Sequence, residues 1–403
     1  KSQTDLIFDP QLIRKFDING PRYTSYPTAD RFVEAFNAEA LRAWLAKRAV
    51  GGVSKPLSLY FHIPFCNTIC YYCACNKIIT KDHGRSAKYL KYLAKEIEMQ
   101  AACLEGSRQV TQLHLGGGTP TFLSHDEMRE LMAAVREHFT LVPNGEYSIE
   151  VDPRKVDFDT VKLLADLGFN RMSVGVQDFA EDVQAAVNRI QSVDETRLVI
   201  DAARATGFKS VSMDLIYGLP KQNVISFNRT LEQVLDISPD RISLYSYAHL
   251  PGLFKPQRRI NSGDMPTADT KLQLLQLGIR RLTEAGYVYI GMDHFAKPDD
   301  ELTVAQRQGR LESNLRHLSS ANGATLDAQE AVKERVQRTT GLINATEGSN
   351  GALAGLAVLV AERFHQSNIA VTARGRDLQK HAVTVARNPL NITTFNSHIG
   401  TTK

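Results

Sequence analysis

Cysteine is scarce in this chain, with five in 403 residues, and four of the five fall inside ten positions, CNTICYYCAC at residues 66–75. Clustered thiols in a reducing compartment more often bind metal or react than crosslink, which disfavours a disulfide. Long apolar runs are missing too. The longest, GALAGLAVLV at residues 351–360, is half of the roughly 20 residues that cross a bilayer, so no membrane span is expected. The opening stretch KSQTDLIFDPQLIRKF carries charges throughout and has no apolar signal-peptide core. A cytoplasmic protein is the expectation, in a compartment where clustered thiols stay reduced and bind metal or react. No basic block is present either. The net charge of +4 is spread along the chain, which argues against a nucleic-acid partner and leaves anionic substrates admissible.

With 43% hydrophobic and 23% charged residues, the composition is that of a globular protein. Short β-rich runs recur at 56–63, 110–116, 146–152, 170–176, 210–218 and 240–247. Between and after them lie segments apolar at helical spacing, over 86–106, 124–139, 157–168, 180–206, 225–237 and 267–285. Strands and helices alternating at this period predict an α/β fold of right-handed βαβ units with a parallel sheet. Six units fit a partial (β/α)6 barrel better than a complete eight-unit one. In either, chemistry gathers at the C-terminal strand ends, which read Pro64–Cys66, Gly116–Thr119, Glu150–Pro153 and Gln177. The expected domains are an N-terminal arm (1–52), the barrel with its extension (53–311), and a mainly helical C-terminal region of unknown role (312–403), which has only two aromatics, Phe364 and Phe395.

Cys66, Cys70 and Cys73 are spaced C-x3-C-x2-C, with Cys75 two residues further on. Three thiolates on one loop suit three irons of a [4Fe–4S] cluster, with the fourth iron open to another ligand. A structural zinc site wants four protein ligands, usually including a distant second pair. The remaining cysteine, Cys103, falls inside an expected helix, and no H-x3-5-H pair lies downstream. Iron–sulfur is the favoured metal centre.

At this point the chain resembles a known family. C-x3-C-x2-C after a first strand is the signature of radical S-adenosylmethionine (SAM) enzymes. The fourth cysteine in CYYCACNK narrows the resemblance, together with GPRYTSYPTA (20–29), LHLGGGTPTFL, SIEVDPR, VGVQDF, DLIYGLPKQ, YAHLP and GMDHFAKPDDEL. These look like the oxygen-independent coproporphyrinogen III oxidases of haem biosynthesis, over roughly residues 5 to 311. TVAQRQG (303–309) still matches, whereas residues 312–403 do not. The resemblance implies a cytoplasmic, monomeric oxidoreductase that turns two propionates of coproporphyrinogen III into vinyl groups, giving protoporphyrinogen IX. It would use a [4Fe–4S] cluster on Cys66, Cys70 and Cys73, SAM as radical source in one or two copies, an electron donor and an electron acceptor. The alternative is a haem-binding or haem-trafficking protein on the same barrel; Cys75 and the PRYTSYPT arm favour the oxidase.

The other candidates have ordinary readings beside functional ones. GGGTPT lets backbone amides approach a ligand closely, or is a plain strand–helix turn; the resemblance assigns Gly117, Gly118 and Thr119 to SAM. Glu150 is as well suited to a structural pair as to a ligand, and Tyr60 to a core; the family match places both on the same SAM. Tyr72, Gln177, Arg189, Asp214 and Ala248 are individually bland, with Arg189 a helix-surface charge and Asp214 a strand-end cap, and the resemblance gives them to a second SAM. Arg22 and Tyr26 in the arm are substrate-side candidates, since a four-carboxylate porphyrinogen needs cations and flat surfaces. His294 in GMDHF reads as structural.

Overall fold

The computed structural model describes residues 8–16, 37–46, 56–291, 293–309, 311–314, 317–320 and 358–362. In chain order the helices are α1 (Pro10–Phe16), α2 (Ala38–Ala46), α3 (Gly84–Ala102), α4 (His125–His138), α5 (Phe158–Asp166), α6 (Glu181–Ala186), α7 (Val193–Ala205), α8 (Val224–Ile237), α9 (Ala268–Glu284) and α10 (Glu301–Arg307). The strands are β1 (Leu57–Ile63), β2 (Phe65–Cys66), β3 (Ile78–Ile79), β4 (Gln109–Gly117), β5 (Thr140–Val151), β6 (Arg171–Gln177), β7 (Ser210–Tyr217), β8 (Arg241–Ser246), β9 (Val288–Gly291), β10 (His294–Ala296), β11 (Leu311–Asn314), β12 (His317–Ser320) and β13 (Val358–Glu362). The six expected strands are all present, at β1 and β4 to β8. The described residues fall into two compact units, one drawn from within 22–67, 75–150 and 312–403, the other from within 1–21, 68–74 and 151–311.

In the first unit the strand order is β13-β1-β4-β5. β1 runs parallel to β4, and β4 parallel to β5, with Ile63 opposite Gly117 and Leu115 opposite Ile149. Leu57, Leu59, Phe61 and Ile63 are buried on one face of β1 and Tyr60 and His62 on the other, as in a parallel strand covered on both faces. Helix α4 begins at a capping box, Ser124 and Glu127 exchanging side chain-to-backbone hydrogen bonds, and buries Met128, Leu131, Met132 and Val135 along one stripe. β13 lies antiparallel against the free edge of β1, where its β-branched sequence VLVAE supplies backbone partners to an otherwise unpaired row. β11 and β12 pair with each other. The described residues beyond 311 therefore form strands and no helix; the rest of the region expected to be helical lies outside the described residues, as does most of the arm.

In the second unit the order is β6-β7-β8-β10-β9, with β6, β7 and β8 parallel and β10 antiparallel to both β8 and β9. The single helix expected over 180–206 is instead two. α6 ends before Asn188, which takes φ 55°, and α7 starts at a second capping box, Ser192 with Glu195. Among the described residues no helix is long and apolar enough to cross a membrane.

The N-terminal ends of three parallel strands are tied to α10. The Arg241 guanidinium donates to Asp300 at 2.8 Å, the Ser210 hydroxyl donates to the same carboxylate at 3.4 Å, and Arg171 donates to Glu301 at 2.6 Å. Asp300 also caps α10 by accepting from the Leu302 amide at 2.9 Å. Arg241 and Asp300 side chains are only 6% and 5% exposed, so neither charge is answered by water. Asp300→Ala is expected to cost about 3–5 kcal/mol of unfolding free energy, because it strands a buried guanidinium. Urea unfolding monitored by circular dichroism checks this, and a loss below about 1 kcal/mol would contradict it.

Candidate functional site

In the first unit Gly117 and Glu150 lie at the C-terminal ends of β4 and β5, with Ile63 at the end of β1 level with Gly117, while Tyr60 lies mid-strand in β1 opposite His114. Tyr60 is buried, stacks on His114 with ring centroids 5.7 Å apart, and shares a 3.0 Å hydrogen bond with Nδ1 of His62. Nε2 of that buried histidine lies 3.0 Å from the Asn76 carbonyl oxygen. The Glu150 carboxylate accepts from the Gly117 amide at 3.1 Å and faces Nε2 of His114 at 3.5 Å. Gly117 has φ +125°, a backbone state closed to most side chains. Gly118 donates to the Ile63 carbonyl at 2.8 Å, and a Cβ on it would meet the Cys66 sulfur at 2.8 Å. Thr119, whose hydroxyl donates to the same sulfur at 3.5 Å, precedes the short 3-10 turn Pro120–Phe122. Of the five residues expected at the first SAM, Gly118 and Thr119 lie against Cys66, Gly117 and Glu150 are hydrogen-bonded beside them, and Tyr60 lies deeper in β1, stacked on His114.

In the second unit the rest of the cysteine loop is held residue by residue. Asn188 donates from Nδ2 to the Ile69 carbonyl at 2.6 Å, and the Tyr71 amide donates to the Val187 carbonyl at 2.9 Å. An Arg189 N–H points at the Cys70 sulfur at 3.6 Å, and Gln257 donates to the Tyr72 carbonyl at 3.0 Å. Gln257 is buried and also donates to the Ala248 carbonyl at 3.2 Å while accepting from the Leu250 amide at 2.5 Å. One amide side chain therefore fastens the cysteine loop to the end of β8.

Arg189 is not the helix-surface charge that its sequence neighbourhood permits. It lies in the break between α6 and α7, only 8% exposed at the side chain, donating to the Gly175 carbonyl at 2.6 Å and paired with Asp152 at 3.5 Å. Asp152 is gripped in turn by Arg154, through a 2.9 Å bond to one of its oxygens and a 2.6 Å bond to the other. Burial alone pushes the Asp152 carboxyl up, and the two guanidinium groups more than reverse this, holding it at about 2. It is a carboxylate at every physiological pH. Burial drives the Tyr72 hydroxyl well above the ordinary tyrosine range, against the pull of Arg189, so it stays neutral.

Asp214 lies within β7 opposite Gly175 and accepts from the Ser173 hydroxyl at 2.8 Å. Gln177 ends β6 with φ 69°. Tyr72, Gln177, Arg189, Asp214 and Ala248 all lie in this second unit. Arg22 and Tyr26 lie outside the described residues. His294 is buried edge-on against Tyr245, the structural setting expected of it. Asp152, Asn188 and Gln257 do not stand out in the sequence. The VDPR string offers a cue for Asp152, whereas nothing in KPQRR marks Gln257 as buried.

No disulfide joins the five cysteines. A [4Fe–4S] cube takes each thiolate on a different iron. N–H and O–H donors directed at the Cys66 and Cys70 sulfurs suit thiolates, and Gly118 leaves room beside Cys66. These residues fit the cluster.

A profile of the Radical SAM superfamily matches residues 60–234. Fold and cysteine loop together define a radical SAM protein. The chain is 54% identical over 310 residues to the oxygen-independent coproporphyrinogen III oxidase of Pseudomonas aeruginosa, covering 76% of this chain and 67% of the relative. It is 48% identical over 307 residues to that of Escherichia coli K12, covering 76% and 66%. The solved structure of the E. coli coproporphyrinogen III oxidase, described as a radical SAM enzyme, superposes with a TM-score of 0.72 at 46% identity, over 80% of this chain and 70% of that one. The chain belongs to the oxygen-independent coproporphyrinogen III oxidase family, and spans about two thirds of the length of these relatives.

Gly118→Ala is expected to lower iron and sulfide content severalfold after anaerobic reconstitution, because the new methyl group would meet the Pro64 and Phe65 carbonyl oxygens at 2.7 and 2.8 Å and the Cys66 sulfur at 2.8 Å and displace the start of the cysteine loop. Iron and sulfide assay of folded protein checks this; wild-type loading would contradict it.

Proposed function

We propose that this protein carries out the oxidative decarboxylation of two propionates of coproporphyrinogen III to vinyl groups, giving protoporphyrinogen IX. The observation that carries the reading is the cysteine loop. Its three spaced thiols lie within eight residues, two of them receive hydrogen bonds at sulfur, and its backbone is fixed from residue 69 to 72. Cys66, Cys70 and Cys73 would hold the [4Fe–4S] cluster, with Cys75 outside the ligand set. When bound, the cluster and SAM supply one-electron, hydrogen-abstracting chemistry, which no side-chain acid or base offers at an unactivated carbon near pH 7.

The chain's own work is binding and orientation. Tyr60, Gly117, Gly118, Thr119 and Glu150 serve the first SAM. Gly117 and Gly118 let the backbone approach the ligand, and Glu150, steadied by the Gly117 amide, offers its carboxylate to an ammonium or a ribose hydroxyl. Tyr72, Gln177, Arg189, Asp214 and Ala248 serve a second SAM, and Arg22 and Tyr26 the substrate carboxylates and ring. Each propionate gives up one hydrogen atom, carbon dioxide and one electron, so the reaction requires an electron donor at its start and an acceptor at its end. A reducing cytoplasm suits the thiols, and a monomer suffices for this set of residues. No observation favours the haem-trafficking alternative, and the relatives at 54% and 48% identity carry the oxidase name.

The test is anaerobic reconstitution with iron and sulfide, then addition of SAM, dithionite and coproporphyrinogen III. Wild type is expected to release 5′-deoxyadenosine and, after oxidation, fluorescent protoporphyrin. Alanine at Cys66, Cys70 or Cys73 is expected to remove the brown chromophore and deoxyadenosine release together, while Cys75→Ala keeps the chromophore. Deoxyadenosine without vinyl product would overturn the substrate and leave the radical SAM assignment standing.

A further inference from the structure

Arg189 lies against the cysteine loop. Its guanidinium is nearly sealed from solvent, locked by the Gly175 carbonyl at 2.6 Å and Asp152 at 3.5 Å, and it spends a further N–H on the Cys70 sulfur at 3.6 Å. Among the described residues, Nε of the same side chain is buried without a hydrogen-bond partner, so the backbone and carboxylate contacts do not saturate the group. Arg189 and Arg154 together carry two positive charges against the single negative charge of Asp152, leaving one net positive charge beside Cys70. Burial weakens the screening of that charge, and a guanidinium does not shed its proton.

Hydrogen bonds to cluster sulfurs and local net charge are the levers by which a protein sets an iron–sulfur reduction potential. We propose that Arg189 tunes the cluster, its N–H bond to the Cys70 thiolate and the net positive charge it shares with Arg154 and Asp152 raising the potential at which the cluster accepts its electron. The inference rests on Cys70 being a cluster ligand. Reduction adds one electron, and hence one negative charge, to the cluster, and a fixed cation beside a ligand sulfur stabilises the reduced form more than the oxidised one. Asp152 opposes the effect, so the triad is a graded device: removing the cation and removing its counter-charge act in opposite directions.

The experiment is an electron paramagnetic resonance-monitored redox titration of the anaerobically reconstituted protein without SAM, with dithionite as reductant, so that SAM binding does not enter. Arg189→Met is expected to lower the midpoint potential, and Asp152→Asn, which leaves two arginines unopposed, to raise it. Opposite shifts support the proposal. Unchanged potentials, or shifts in the same direction, overturn it, because general disturbance of the loop has no reason to change sign. If Arg189→Met fails to assemble a cluster, Asp152→Asn decides alone: a higher midpoint supports the proposal, and an unchanged or lower one overturns it. Absence of a [4Fe–4S] signal from wild type would instead remove the cluster reading on which the proposal stands.

Discussion

A guanidinium withdrawn from water has to be answered by a carboxylate and by acceptors, and Arg189 is where that requirement organises the second unit. Asp152 faces it, the Gly175 carbonyl caps it, and the Cys70 sulfur takes what remains. Meeting these demands at once fixes Asp152 just past β5, the C-terminal part of β6 and the turn between α6 and α7. The break in the helical segment is the local consequence. Asn188 adopts a left-handed backbone, which directs Arg189 inward while its own amide reaches the Ile69 carbonyl. Three consecutive residues, Val187, Asn188 and Arg189, thereby grip the cysteine loop through a backbone carbonyl, a side-chain amide and a cation.

The parallel strands are legible in the sequence in two ways: β1 reads as a near-continuous apolar and aromatic run, whereas β6 and β7 alternate, with Val211, Met213 and Leu215 of β7 buried between Ser212 and Asp214 on the other face. The main helices are legible from their periodicity. The division of 180–206 is hidden, because the apolar spacing continues across the break. The signal that reveals it is local: Ser192 with Glu195 three residues on, a capping box that starts a new helix. The early part of β5 is hidden for a similar reason, since Asn144 with φ 62° interrupts the alternation without ending the strand.

The candidate site is legible where chemistry is concentrated in a short string, as in CNTICYYCAC and GGGTPT. It is illegible where a residue acts through tertiary placement. Gln257 sits among lysine and arginines in a 3-10 turn and looks like surface, yet it is fully buried and binds three backbone groups. Arg189 can be placed on a ligand only by the family resemblance, and its contact with Cys70 is out of reach because nothing local links positions 70 and 189. Glu150 reads as an isolated strand-end carboxylate; its contacts with Gly117 and His114 come from strand register, which a linear reading does not supply.

The hold on residues 69 to 72 has a consequence for how the centre is assembled. Many small metal sites are liquid until the ion arrives, and the affinity of the ion is then spent on ordering the chain. Here the carbonyls of Ile69 and Tyr72 and the amide of Tyr71 are already moored to neighbouring elements. None of these bonds involves a thiol, so the ordering of residues 69 to 72 is contributed by Val187, Asn188 and Gln257 and not by whatever the thiols hold.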